Sequence, residues 1–280
     1  MTEQVQTSDF KFSLGDDLWL RGNVHTLVNQ QNKPTLVLCH GFKGFKDWGF
    51  FPYIADRLAQ QGYYVVRFNF SCNGVGQTDF DELEKFAVNT YSREQADLLA
   101  LMNHIKNKDL PFAQESHSKQ IALLGHSRGG GNSLIFAADQ PEISCVVTWN
   151  GIANVDLFDD QLKKEIHEKG VGYIANARTK QDMPIRSIVL DDMALHQQRF
   201  NITDRIRSYP NPILVIQGDK DVPRLVDGAQ KLNTAAPHSQ LVIIEGGNHT
   251  FGAVHPFQGT TSFLEEALSV TINFLEQNLT

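Results

Sequence analysis

The chain has 280 residues, of which 41% are hydrophobic, and it carries a formal net charge of −7. This length suits one large α/β domain or two small ones, and the hydrophobic share is sufficient for a sizeable core. The negative charge argues against nucleic acid or an anionic membrane as the main partner.

Strand-like and helix-like segments alternate along the first half of the sequence. The predicted strands are Phe10–Leu14, Leu18–Val28, Thr35–Cys39, Tyr63–Phe70, Ile121–Leu124 and Ile143–Trp149. Gly15 and Asp16 between the first two strands are a hairpin signal, so this pair is expected to be antiparallel. The predicted helices are Ile54–Gln61, a helix capped by Ser92 that carries Ala96, Leu99 and Ile105, and a helix that ends near Gln140. This alternation predicts a mostly parallel sheet covered by helices.

The pattern changes after Trp149, because Gly151–Ser208 is too long for an ordinary connection. Within it, a helix is predicted by the spacing of Val155, Phe158, Leu162 and Ile166. A hairpin is predicted by two strand-like segments, Tyr173–Asn176 and Ile185–Val189. We interpret this segment as a lid, with a peripheral decoration as the alternative. The sheet is then expected to resume, and the remaining elements are strands Ile213–Gln217 and Leu241–Ile244 and helix Phe263–Leu279. The predicted domains are therefore a core in two parts, 1–150 and 209–280, and a lid insertion at 151–208.

The most informative segment is 121–130, which reads I-A-L-L-G-H-S-R-G-G. An apolar strand runs into Gly125-His126-Ser127-Arg128-Gly129, and a helix follows. This is the G-x-S-x-G pattern of a nucleophile elbow, in which the serine occupies a tight turn and its flanking glycines let strand and helix pass closely. The pattern predicts Ser127 as a nucleophile at the N-terminus of a helix, where free N–H groups favour a developing oxyanion.

A serine nucleophile needs a base, and the base needs an acid to orient it. In a parallel sheet these groups gather where strands end, in the chain order serine, acid, histidine. His249 follows strand Leu241–Ile244 and is the favoured base, whereas His238 precedes that strand and His255 lies further along the loop. Two carboxylates, Asp219 and Asp221, follow the preceding strand; Asp221 is favoured as the acid.

The loop after strand Thr35–Cys39 reads H-G-F-K-G and predicts the second oxyanion donor. We expect the backbone N–H of Phe42 to act together with that of Arg128. His40 is expected to orient this loop rather than to act as a base. Aromatic residues crowd the same region, and a planar substrate would suit a pocket built from them, although aromatic side chains more often fill cores. The candidate pocket residues are His40, Phe45, Trp48 and Phe251.

These motifs resemble those of the alpha/beta-hydrolase superfamily over nearly the whole stretch from Leu18 to Leu275. The resemblance is carried by H-G-F-K-G at 40–44, N-F-S-C-N-G-V-G at 69–76, G-H-S-R-G-G at 125–130, G-D-K-D at 218–221 and G-G-N-H-T-F at 246–251. It implies an α/β fold with a mostly parallel eight-stranded sheet, helices on both faces and an inserted lid, and again Asp221 and His249 as acid and base. Within the superfamily the pattern is similar to bacterial cinnamoyl (feruloyl) esterases, except that many relatives carry a smaller or neutral residue at the position of Arg128.

The sequence thus predicts a serine carboxylesterase that hydrolyses a small-molecule ester, with a hydroxycinnamoyl-type acyl group as one option. The same triad also serves thioesters, small peptides or carbon–carbon bonds, and a non-catalytic binding module is a second alternative. No cofactor or metal is expected, since no cluster has metal-ligand spacing. The sequence begins without a basic and apolar leader, and its three cysteines show no disulfide pattern, so we expect a reduced cytoplasmic protein without a membrane partner. A homodimer is compatible with the sequence.

Overall fold

The computed structural model describes residues 4–279; residues 1–3, part of the stretch read for a leader, lie outside it. It contains one sheet of eight strands and one of two. The strands are β1 (Val5–Gly15), β2 (Leu18–Leu27), β3 (Lys33–Cys39), β4 (Tyr64–Asn69), β5 (Ser116–His126), β6 (Cys145–Trp149), β7 (Val171–Asn176), β8 (Gln181–Arg186), β9 (Ile213–Gly218) and β10 (Ser239–Ile244).

The eight-stranded sheet has the order β1-β2-β4-β3-β5-β6-β9-β10. The first hairpin, β1 with β2, is antiparallel as predicted, and β2 is also antiparallel to β4. All other neighbours are parallel. The carboxyl ends of β3, β5, β6, β9 and β10 therefore meet along one edge, which is where functional loops gather in such sheets.

Helices cover both faces of this sheet. They are α1 (Phe51–Gln60), α2 (Leu83–Ala87), α3 (Tyr91–Lys106), α4 (Arg128–Asp139), α5 (Asp160–Lys169), α6 (Ser187–Leu195), α7 (Ile202–Arg205), α8 (Pro223–Ala235) and α9 (Ser262–Asn278). Buried side chains of α3, α4 and α8 pack on one face, and those of α1 and α9 pack on the other. The central strands contribute alternate side chains to each core, since successive residues of a strand point to opposite faces. The predicted fold class is confirmed. No helix within residues 4–279 is long and apolar enough to cross a membrane.

The insert, residues 151–208, contains α5, the β7–β8 hairpin, α6 and α7. It has a small core of its own, which includes Phe158, Ile166 and Met183. This core packs against aromatic side chains of the loops after β3 and β4, among them Phe45 and Phe80. The insert is thus seated over the carboxyl edge of the sheet.

Several local predictions were wrong. The helix cap is Thr90, whose hydroxyl accepts from the N–H of Arg93; Ser92 lies inside the helix. Leu99 is 44% exposed instead of facing the core. The segment Ile185–Val189 is not one strand, because the chain turns into α6 after Arg186.

Candidate active site

The turn at Ser127 joins β5 to α4 with a strained backbone. Ser127 has φ 55° and ψ −121°, outside the usual regions for a residue with a side chain. A Cβ on Gly125 would lie 2.2 Å from the carbonyl oxygen of Gly129, and a Cβ on Gly129 would lie 2.2 Å from that of Cys39. Only glycine fits at these two positions. The turn leaves Ser127 partly exposed, and its Oγ has no hydrogen-bond partner among residues 4–279.

The loop after β3 lies directly against this turn. A Cβ on Gly41 would be 3.0 Å from Ser127 Cβ, so the loop backbone passes within contact distance of the serine. The backbone N–H groups of Phe42 and Arg128 donate to no other group in the described part of the chain. The second of these is the first N–H of α4, where the helix dipole adds partial positive charge. Two free donors thus lie beside the serine, as an oxyanion hole requires.

His249 and Asp221 lie on the loops that follow β10 and β9. The Nδ1 of His249 is 2.8 Å from Oδ2 of Asp221, and because a carboxylate only accepts, Nδ1 carries the proton. Nε2 is therefore the basic nitrogen. Burial works to raise the pKa of Asp221, but its bonds to His249, to the Val222 N–H and to Gln217 bring that pKa below its ordinary value. Asp221 thus stays ionised beside His249. Asp219, the alternative acid, instead accepts from the N–H of Gly246 at 2.6 Å and ties two loops together.

Ser127 and His249 line the same cavity. Within residues 4–279, no hydrogen bond joins the side chain of Ser127 to that of His249. Contacts of this kind are often long in the absence of substrate and shorten in the reacting complex.

Two side chains that the sequence analysis did not single out hold His249 in place. The Nε2 of His126 donates to the carbonyl of His249 at 2.7 Å, and Nδ2 of Asn150 donates to the same oxygen at 2.9 Å. Oδ1 of Asn150 also accepts from the N–H of Gly218, which links the histidine loop to the end of β9. Burial, with the nearby His249, lowers the pKa of His126 to about 3, so this ring is neutral. In the sequence, the role of His126 was indicated only by its place at the first variable position of G-x-S-x-G.

The other candidate histidines have different surroundings. His238 lies at the opposite end of the sheet, where its carbonyl accepts from the first residue of β9. His255 lines the cavity, and its Nδ1 accepts from the N–H of Gly49. His40 is buried, and its Nε2 accepts from the N–H of Phe70 while its Nδ1 donates to the carbonyl of Gly41. Burial lowers the pKa of His40 to about 4. A neutral ring fixed at both nitrogens orients the loop.

The cavity at Ser127 has a volume of about 340 Å³. It is lined by residues of the core and of the β7–β8 turn: Gly41, Phe42, Lys43, Gly44, Trp48, Phe51, His126, Ser127, Asn176, Ala177, Arg178, His249, Thr250 and His255. A larger cavity of about 590 Å³ lies between the insert and α8, but neither Ser127 nor His249 lines it. The smaller cavity is therefore the candidate active site.

Of the four predicted pocket residues, only Trp48 lines this cavity. Phe45 is instead buried against the core of the insert. Phe251 packs edge-on against Trp149 in the main core, and His40 lies behind the oxyanion loop. Burying an aromatic ring in a core removes more of its apolar surface from water than placing it in the wall of an open cavity. The folded state is therefore stabilised more when such a ring joins the core.

The side chain of Arg128 is directed away from the cavity and is buried. Its Nε donates to Oε2 of Glu94 at 2.8 Å, its Nη2 donates to the carbonyl of Asn89, and its guanidinium lies 3.9 Å from the centre of the Tyr91 ring. The guanidinium is also 5.7 Å from the ring of Phe42. A buried ion pair thus lies close to the two candidate oxyanion donors, Phe42 and Arg128.

No group of three or more His, Cys, Asp or Glu side chains within residues 4–279 is arranged to hold a metal ion.

Comparisons with known proteins agree with this architecture. A family model described as serine aminopeptidase, S33, matches residues 30–166. The chain is 24% identical over 221 residues to 2,6-dihydropseudooxynicotine hydrolase of Paenarthrobacter nicotinovorans, which covers 77% of this chain and 52% of that protein. The chain spans about half the length of the curated relatives it matches.

Two solved structures show how far the fold extends. Est1E of Butyrivibrio proteoclasticus with ferulic acid bound has a TM-score of 0.74 and 19% identity, over 96% of this chain and 98% of that one. Dienelactone hydrolase of Anabaena variabilis has a TM-score of 0.66 and 17% identity, over 99% and 100%. At such identities the likeness is one of fold. Together with the eight-stranded sheet, it shows that the chain has the alpha/beta-hydrolase fold.

Proposed function

We propose that the chain is a serine carboxylesterase. Ser127 Oγ attacks the ester carbonyl while Nε2 of His249 takes its proton. Asp221 stabilises the imidazolium that forms, and the N–H groups of Phe42 and Arg128 bind the oxyanion. The alcohol leaves with the proton from His249, and water then hydrolyses the acyl-enzyme by the same route.

The observation that carries this proposal is the convergence of three separate loops on one cavity. The turn at Ser127 exposes a hydroxyl, the loop at Gly41–Phe42 supplies an unused N–H, and the 2.8 Å bond from His249 to Asp221 leaves a basic nitrogen free. A non-catalytic binding module would have no need for all three.

The cavity favours a small acyl group with a flat face. A volume of about 340 Å³ is at the lower end for small-molecule sites, and Phe42, Trp48 and Phe51 contribute aromatic surface. The ferulic acid bound by Est1E, which shares the fold, supports a hydroxycinnamoyl-type group.

Peptide hydrolysis at a free amino terminus is disfavoured by charge. An aminopeptidase must hold an ammonium group, for which a carboxylate is the natural partner. The described residues that line the cavity include Lys43 and Arg178 and no acid. Thioesters and carbon–carbon bonds remain alternative substrates for the same groups.

The test is Ser127→Ala, assayed with p-nitrophenyl acetate and with a fluorophosphonate probe. Wild-type protein should hydrolyse the ester and be labelled at Ser127, while the variant should do neither and should keep the wild-type circular dichroism spectrum. Turnover that survives the substitution would exclude the mechanism, and wild-type protein that neither turns over nor labels would revive the binding module.

A further inference from the structure

Lys43 stands at the active-site cavity without an acidic partner. It follows the oxyanion donor Phe42 directly, and both residues line the cavity with Ser127. Its Nζ donates to the carbonyl of Ala175, in β7 of the insert, at 3.3 Å. No carboxylate within residues 4–279 lies within ion-pair distance of this ammonium group. The ammonium has three N–H donors and uses one of them for Ala175, so the others are free to donate to a molecule in the cavity.

The second cation of the cavity is already paired. Arg178, in the turn between β7 and β8, forms an ion pair with Asp79 and lies over the ring of Phe45 at 5.6 Å. The same Asp79 lies 3.8 Å from Nε2 of His255. Lys43 is thus the one lysine or arginine among the described lining residues whose charge is not balanced by a neighbour.

Lys43 is only partly exposed between the loop and the insert, and its bond to Ala175 lies near solvent, so leaving its charge unpaired has a modest free-energy cost. Burial lowers the pKa of Lys43, and no acidic neighbour acts to restore it. An ordinary surface lysine avoids this by extending into water. An anion that entered the cavity would relieve the cost, which is the usual basis of charge recognition at a binding site.

We propose that Lys43 binds a carboxylate of the substrate, so that the natural ester carries one negative charge in addition to its scissile bond. This inference rests on the proposed esterase function. A single unbalanced ammonium matches a carboxylate, whereas a phosphate dianion would call for a second free cation. The position of Lys43 within the oxyanion loop, directly after Phe42, lets it select substrates without taking part in the bond changes.

The experiment compares kcat/KM for matched pairs of esters that differ in charge. Monomethyl terephthalate is paired with methyl para-toluate, and monomethyl glutarate with methyl hexanoate. For each pair we measure the ratio of kcat/KM for the anionic to the neutral ester, in wild type, Lys43→Gln, Lys43→Arg and Lys46→Gln. Lys46 is the matched control, since it lies on the same loop, pairs with Asp47 and does not line the cavity.

Lys43→Gln should lower this ratio by about tenfold or more, which corresponds to the loss of one charge-assisted contact. Lys43→Arg should retain most of it, and Lys46→Gln should leave it at the wild-type value. Added salt should lower the wild-type ratio, because a partly exposed ion pair is screened. An unchanged ratio in Lys43→Gln, or an equal loss in Lys46→Gln, would overturn the proposal.

Inhibition provides a second measurement. In wild type the para-toluate anion should inhibit hydrolysis of methyl para-toluate more strongly than the isosteric para-toluamide, and this preference should fall in Lys43→Gln. Because the oxyanion donors also attract the anion, a preference that stays at the wild-type value in Lys43→Gln would overturn the proposal. If wild-type protein hydrolyses no ester of either pair and a fluorophosphonate fails to label Ser127, the esterase function itself fails. Hydrolysis of both members of each pair with no effect at Lys43 would overturn only the charge selection.

Discussion

The buried ion pair of Arg128 with Glu94 offers a direct test of how the elbow is supported. Both side chains are almost fully buried, at 2% and 3% exposure. Glu94 also accepts from Nδ2 of Asn89 and of Asn132, so its carboxylate is bonded by three donors. Replacing Arg128 with Met removes the positive charge and leaves that carboxylate buried with two neutral amides. Replacing Glu94 with Gln leaves the guanidinium uncompensated.

Each single change should be severe. Removing one partner of a buried pair costs about 3–5 kcal/mol, because the remaining charge stays desolvated. At roughly 2–4 °C of melting temperature per kcal/mol for a domain near this size, Arg128→Met should lower Tm by roughly 6–20 °C. Glu94→Gln should lower it by a similar amount. The double variant should lose less than the sum of the two, since no isolated charge is left in it.

Differential scanning calorimetry of the two single variants and the double variant measures this coupling. Lys164→Met is the control, because Lys164 belongs to an exposed pair with Glu168 on α5 and should change Tm little. If the losses from the two single changes simply add in the double variant, Arg128 and Glu94 do not stabilise each other and the reasoning is refuted. Single variants with the same melting temperature as wild type would refute it as well.

Three further predictions concern the catalytic groups and a buried carboxyl. Asp221→Asn should lower kcat for a p-nitrophenyl ester by about 10³–10⁴, since the amide no longer fixes the proton of His249 on Nδ1; a loss under tenfold would contradict this role. Gly41→Ala would bring a Cβ to 3.0 Å from that of Ser127 and displace the oxyanion loop, so kcat should fall by about 10²–10³ while the circular dichroism spectrum is retained. Burial raises the pKa of Asp97 to about 6, so the native protein holds this proton more tightly than the unfolded chain and stability from this group is lost as pH rises from about 4 to about 6. The free energy of unfolding of wild type relative to Asp97→Asn, measured in urea, should therefore fall by about 2 kcal/mol between about pH 4 and about pH 7, and a constant difference would argue against it.

The sheet was predictable because its central strands are short apolar runs. Segments such as Thr35–Cys39 and Ile213–Gln217 are buried on both faces, and each falls within the corresponding strand of the structure. The insert was harder to predict. Its strands and helices are short and half-exposed. The spacing of apolar residues alone therefore could not show that a strand ends at Arg186 and a helix begins at Ser187. Helix α8 also escaped prediction, although Pro223 at its start is a recognised signal.

The candidate nucleophile and its partners lay within reach of the sequence because each follows directly from a strand end. A residue at a strand end keeps its place along the edge of the sheet, whatever the loops do. The pocket was less predictable, since which aromatic ring faces a cavity depends on packing between segments far apart in the chain. Phe45 and Phe251 illustrate this, because Phe45 is buried in the core of the insert and Phe251 in the main core. The direction of the Arg128 side chain was equally hidden, as Glu94 lies 34 positions earlier on another helix.

The two halves of the site are held by different kinds of contact. His249 is fixed through its backbone carbonyl by His126 and Asn150, which lie at the ends of neighbouring parallel strands. Bonds of this kind leave the imidazole free to act while its loop is held rigidly, and they are little affected by salt. The tip of the insert is instead held by the ion pair of Arg178 with Asp79 and by one bond from Lys43, all near solvent. Added salt should therefore weaken the contacts at the tip of the insert before it affects the contacts that hold the loop of His249.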